Sequence, residues 1–173
     1  PANPGAGAAV IAYPRNSQNS DVQQWNLQLE RALGANMSAN IAYVGTKMDH
    51  LATTFNANAT PIGGGAAAYP TYSSVTEYGL IGTGTYNGLQ AQLNRRFSQG
   101  LQFTASYTWS HTIDNSDGAF TGTNQNGDNI LVAPGGIPQL QFNKGNSASD
   151  IRNAFMFSSL YELPFGKGKQ FAS

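Results

Sequence analysis

From Leu101 to Ser110 the chain alternates without a miss: Leu101, Phe103, Ala105, Tyr107 and Trp109 are apolar, while Gln102, Thr104, Ser106, Thr108 and Ser110 are polar. A period of two sends successive side chains to opposite faces of a strand, whereas a helix needs apolar residues three and four apart. An unbroken run of this kind excludes a helix and demands a sheet with one apolar and one polar face.

The same pattern recurs. Trp25, Leu27 and Leu29 alternate with Gln24, Asn26, Gln28 and Glu30; Met37, Ala39, Ile41 and Tyr43 with Ser38 and Asn40; Leu89, Ala91 and Leu93 with Gln90, Gln92 and Asn94. A fifth set carries Phe155, Phe157, Tyr161 and Leu163 on its odd face. Five long antiparallel strands are expected, near 22–33, 37–46, 86–98, 101–112 and 151–163, after an irregular lead-in over 1–20. Gly34-Ala35-Asn36 and Ser98-Gln99-Gly100 read as tight turns, and 46–84 and 114–150 as long connections.

Sliding the chain by 64 positions lays Leu29 on Leu93, Arg31 on Arg95, Leu33 on Phe97, Met37 on Leu101 and Tyr43 on Tyr107. The repeated unit is a hairpin with a short turn at one end and a long loop at the other, the layout of outer-membrane β-barrels. Trp25, Tyr43, Phe97, Trp109 and Tyr161 are placed to serve as interfacial girdles. Composition agrees: only 10% of the 173 residues are charged, against about 25% in soluble proteins. The soluble alternative is a β-sandwich, but its strands are shorter and its connections rarely exceed a dozen residues.

Nine basic residues balance nine acidic ones, which removes the electrostatic drive for nucleic-acid binding. Cysteine is absent, excluding disulfides and thiolate metal sites. The expected location is the bacterial outer membrane or the cell surface.

The string Tyr86-Asn87-Gly88-Leu89-Gln90-Ala91-Gln92-Leu93-Asn94-Arg95-Arg96-Phe97-Ser98-Gln99-Gly100-Leu101, continuing through Phe103-Thr104-Ala105-Ser106-Tyr107-Thr108-Trp109-Ser110, resembles the barrel of TonB-dependent receptor-like outer-membrane proteins of the Oar type. So do Trp25-Asn26-Leu27-Gln28-Leu29-Glu30-Arg31, Ala42-Tyr43-Val44-Gly45, Asp150-Ile151-Arg152 and Tyr161-Glu162-Leu163-Pro164-Phe165-Gly166-Lys167-Gly168. The resemblance covers roughly 22–170. It implies a barrel of about 22 strands around a plug and energy-coupled uptake of large ligands. The sequence departs from the pattern after Asp-Ile-Arg, where Asn153-Ala154 replace the usual basic or histidine residues, and no plug or coupling box is visible. The carry-over therefore stops at architecture. Five strands cannot close a barrel, so their outer edges would seek the rest of the barrel or other copies of this chain, with lipid on the apolar face.

No catalytic, cofactor-binding or metal residue is expected, and the chain does not read as an enzyme. Ser110, His111 and Asp114 have the residue types of a hydrolase triad, but neighbours on a strand diverge to opposite faces. Asp49-His50 lacks further ligands at metal spacing. Asp114-Asn115-Ser116-Asp117-Gly118 and Asn124-Gln125-Asn126-Gly127-Asp128 are oxygen-rich, yet neither has calcium-loop spacing. Gly82-Thr83-Gly84 reads as a turn, Arg95 as a snorkelling arginine with Arg96 on the polar face, and Asn36 and Asn58 as glycosylation sequons of no use in a bacterium.

Overall fold

In the computed structural model, which describes residues 7–15, 18–116 and 130–165, the alternating segments are strands and no α-helix occurs among the described residues. The elements in order are β1 (Ala8–Ala12), β2 (Asp21–Ala32), β3 (Met37–Asn56), β4 (Tyr72–Ser98), β5 (Leu101–Asp114), β6 (Val132–Ala133), β7 (Ile137–Pro138), a 3-10 turn at Leu140–Asn143, β8 (Gly145–Asn146) and β9 (Asn153–Tyr161). One sheet follows the path β2-β3-β4-β5-β8, with β1 against β4 and β9 against β5, and β6 and β7 pair separately. The fold is all-β, in antiparallel hairpins. No pairing joins β2 to β9 among the described residues, so the barrel is not closed.

The chain folds as two units. The first to describe comprises Trp25–Gly45, Asn87–His111 and Ile151–Ser173, and holds the short turns. Gly34 has φ +81, and the Leu33 N–H donates to the Met37 carbonyl at 2.8 Å. Gln99 (φ 53) and Gly100 (φ 76) form a two-residue tip in which both residues are left-handed, the geometry that matches strand twist. Register between β5 and β9 pairs odd with odd: Leu101 with Tyr161, Ala105 with Phe157, Tyr107 with Phe155. Directly opposed residues share a face. The Phe103 and Phe157 rings lie 6.0 Å apart, and Tyr107 Oη donates to Asn153 Oδ1 at 2.6 Å. The Trp25 indole lies over Gly45, where a Cβ would collide with it, an aromatic ring covering the gap that a strand glycine leaves. Tyr43 Oη donates to Asn87 Oδ1 at 2.7 Å.

Among its described residues this unit has no cluster of buried hydrophobic side chains. Every residue of β2 and β9 is exposed, including Leu29 at 71% and Phe155 at 70%. Bare apolar rows of this size mark a surface that meets something other than water. On β9 the even positions Met156 and Leu160 are also apolar and exposed, a departure from strict alternation.

The other unit comprises Pro1–Gln24, Thr46–Tyr86 and Thr112–Asp150, and it has a true core. Phe55, Ala57, Val75, Ile130 and Val132 are buried together, with Val10, Ala12, Ala59, Tyr72 and Leu140 packed around them. Burial of Phe55, Val75, Ile130 and Val132 contributes about 1.5–3 kcal/mol each. Asparagine side chains substitute for sheet where β3 ends: Asn56 Oδ1 accepts from the Asn58 and Val75 N–H groups, while Asn58 donates to the Tyr72 carbonyl and accepts from the Tyr69 N–H.

Four sequence expectations need correction. The lead-in is not wholly irregular: β1 pairs in parallel with β4 from Tyr72 to Glu77. The connection 46–84 is mostly strand, because β3 runs on to Asn56 and β4 starts at Tyr72. Gly82-Thr83-Gly84 is no turn but the middle of β4, where a Cβ at Gly82 would lie 2.8 Å from Ser116 Cβ and Thr53 Oγ1; glycine there lets neighbouring strands close in. The connection 114–150 contains β6, β7, the 3-10 turn and β8.

Candidate ligand cleft

In the unit that carries the long loops, the segment after β1, strands β3 and β4, Tyr69 and the β6–β7 hairpin line a cleft of about 780 Å³. That is within the range of small-molecule sites. Its lining includes Pro14, His50, Phe55, Tyr69, Glu77 and Ile137. A smaller cavity of about 370 Å³ adjoins it through Pro14, Gly79 and Leu80, roofed where Tyr13 stacks on Tyr78 at 5.1 Å.

Glu77 and His50 are each held by a strand. Glu77 sits on β4 opposite Ala12 of β1. His50 interrupts β3 with φ 57, a left-handed conformation that few residues with a side chain adopt, histidine more readily than most. The Ser20 hydroxyl donates to its carbonyl at 2.7 Å, and its Nδ1 is buried with no partner among the described residues. The floor depends on Gly135 (φ 85) and Gly136 (φ 76); a Cβ at Gly136 would stand 2.5 Å from the Ala57 carbonyl oxygen.

Charge in this cleft is one-sided. Glu77 is the only acidic residue between Asp49 and Asp114, and no lysine or arginine occurs from Met48 to Asn94. Glu77 has no ion pair among the described residues, where the pair found is Lys47 with Asp49 at 2.7 Å. That carboxylate holds the Lys47 ammonium above its ordinary pKa, so Asp49 is committed within β3. Read from sequence, His50 stood beside Asp49 as a poor metal pair, and Glu77 went unremarked. Its isolation among uncharged residues was the available signal.

The other chemistry-bearing residues are occupied by structure. Ser110 Oγ donates to the Ile151 carbonyl at 2.7 Å, and His111 Nε2 lies 3.2 Å from an Arg152 nitrogen. Asn115 Oδ1 accepts from the Thr83 N–H and Ser116 bonds to Thr53; Asp117, Gly118 and 124–128 lie outside the described residues. Arg95 donates to the Ser98 carbonyl at 3.3 Å, and Asn36 donates to Ser98 Oγ. No group of metal-ligating side chains occurs among the described residues.

Alternating strands with a bare apolar face, tight turns in one unit and a loop-built cleft in the other define an outer-membrane β-barrel protein. A family comparison makes this specific: residues 1–173 match the family described as "Outer membrane beta barrel domain", to which the chain belongs. No curated protein and no solved structure matches it.

Proposed function

We propose that this chain is part of the wall of a TonB-dependent receptor-like barrel that takes up a ligand, with the loop-bearing unit facing outward to capture it. The observation that carries the reading is the length of the central strands. β3 and β4 have 20 and 27 residues, while about 9–11 suffice to cross the hydrocarbon. The surplus is spent on a unit with its own core and cleft rather than on the shortest return path. The strand-by-strand resemblance to Oar-type barrels favours a receptor over a simple pore.

Energy-coupled uptake has a direct test. Wild-type and gene-deleted cells are given a mixture of small metabolites, with and without a protonophore. At least one compound is expected to enter only when both the gene and the proton gradient are present. If no compound shows that double dependence, the receptor reading falls.

A second reading draws on the complete exposure of β2 and β9. Unpaired strand edges are templates for pairing, and copies of this chain meeting edge to edge without closing would form a filament.

A further inference from the structure

We infer that the cleft of Glu77 and His50 binds an organic cation with an apolar or aromatic body, such as a primary aryl-alkyl amine. The proposal rests on the receptor reading for the side from which the ligand arrives, but not for the binding itself. Three observations carry it.

The first is charge. Of the residues lining the cleft, Glu77 is the one carboxylate, and neither lysine nor arginine is among them. Phosphates, carboxylates and sulfates thus find no counter-charge, whereas an ammonium group finds one that the described residues leave unpaired. A buried or half-buried charge is retained at a cost unless something pairs with it.

The second is the wall. Tyr69, Ile81, Ile137 and Pro138 give the cleft an apolar lining over the core residue Phe55, and an aromatic face such as that of Tyr69 attracts cations. Tyr69 and Ile137, exposed at 43% and 59%, stand where an apolar body would cover them. A sugar or a peptide backbone would need a denser set of hydrogen-bonding groups than this lining offers.

The third is His50, which carries two costs at once: a left-handed backbone and a buried ring nitrogen without a partner among the described residues. Costs of this kind persist where the surroundings impose them and cluster at binding sites. Here the strained residue is placed on the same cleft as the unpaired carboxylate.

Calorimetric titration of the full protein in detergent micelles tests this with three probes that share a phenyl-ethyl body: phenethylamine, 2-phenylethanol and phenylacetate. Phenethylamine is expected to bind at least tenfold more tightly than 2-phenylethanol, and phenylacetate not to saturate. Glu77→Gln should lower phenethylamine affinity at least tenfold, to that of the alcohol, with the circular dichroism of the strands unchanged. Ile137→Arg, at an exposed position, adds a repelling cation without touching the core and should have the same effect, which keeps the test valid if Glu77→Gln misfolds. Equal affinity for the three probes would overturn the assignment. So would tighter binding of phenylacetate, no saturation by phenethylamine in folded protein, or unchanged affinity in the arginine variant. Uptake in cells is a separate readout, so loss of the receptor reading and loss of this assignment are told apart.

Discussion

At the scale of single residues, the two environments ask different things of glycine and histidine. Gly45 exists so that Trp25 can lie flat across it, and Gly82 so that Thr53 and Ser116 can approach. His50 is the reverse case, a side chain kept where glycine would be easier, since its φ of 57 is free for glycine and costs other residues about 1 kcal/mol or more. Replacing it separates packing from function. His50→Gly should leave stability unchanged or raise it by up to about 1 kcal/mol, measured as the urea midpoint in micelles. A fall of the midpoint by more than that would mean that the ring is a packing element, and its strain would need no functional explanation.

Among elements, strand parity decides what a substitution costs. Leu29 and Gln28 are neighbours on β2 and both exposed, yet from Gln24 to Glu30 the odd row of β2 is apolar and the even row polar. A charge on the lipid face of such barrels costs about 2–4 kcal/mol at the midplane, falling to about 0–1 near the interfaces. Leu29→Arg should therefore destabilise the protein in vesicles by more than 1 kcal/mol, and Gln28→Arg by less, both read by equilibrium unfolding. Equal costs would mean that the odd face does not meet lipid. The strands that were legible in the sequence are those with this parity. β5 could be drawn from Leu101 to Trp109 by eye, and the Phe103–Thr104 alternation is confirmed by its register with β9. The upper halves of β3 and β4 were not legible, because Lys47-Met48-Asp49-His50 breaks the alternation at the left-handed residue and Gly79, Gly82 and Gly84 erase it in β4. β1, Ala-Ala-Val-Ile-Ala, lies partly against a local core and has no polar face to alternate with. The cleft escaped for a different reason: its members come from the segment after β1, from β3 and β4 and from the β6–β7 hairpin, and no spacing along the chain brings them together.

For the molecule as a whole the open question is what pairs with β2 and β9. Proline in a strand removes a ladder donor, so Phe157→Pro, opposite Ala105 of β5, should shorten any polymer made by copies of this chain. Ala66→Pro, in the exposed part of the 57–71 loop, should not. Polymer lengths are read in negative-stain images without detergent. If wild type forms no polymers, or if Phe157→Pro leaves their lengths unchanged, the filament reading goes, and further strands of one barrel are the neighbours.

The contrast between the Gln99-Gly100 tip and the loop-bearing unit also sets a direction of travel. A backbone group carried into hydrocarbon without a partner costs several kcal/mol, and a two-residue tip carries very few. The other unit carries a packed core, the asparagine network of Asn56 and Asn58, and the Lys47–Asp49 pair, a far larger set of polar groups to carry into hydrocarbon. A hairpin that ends in such a tip is therefore expected to enter a bilayer tip first.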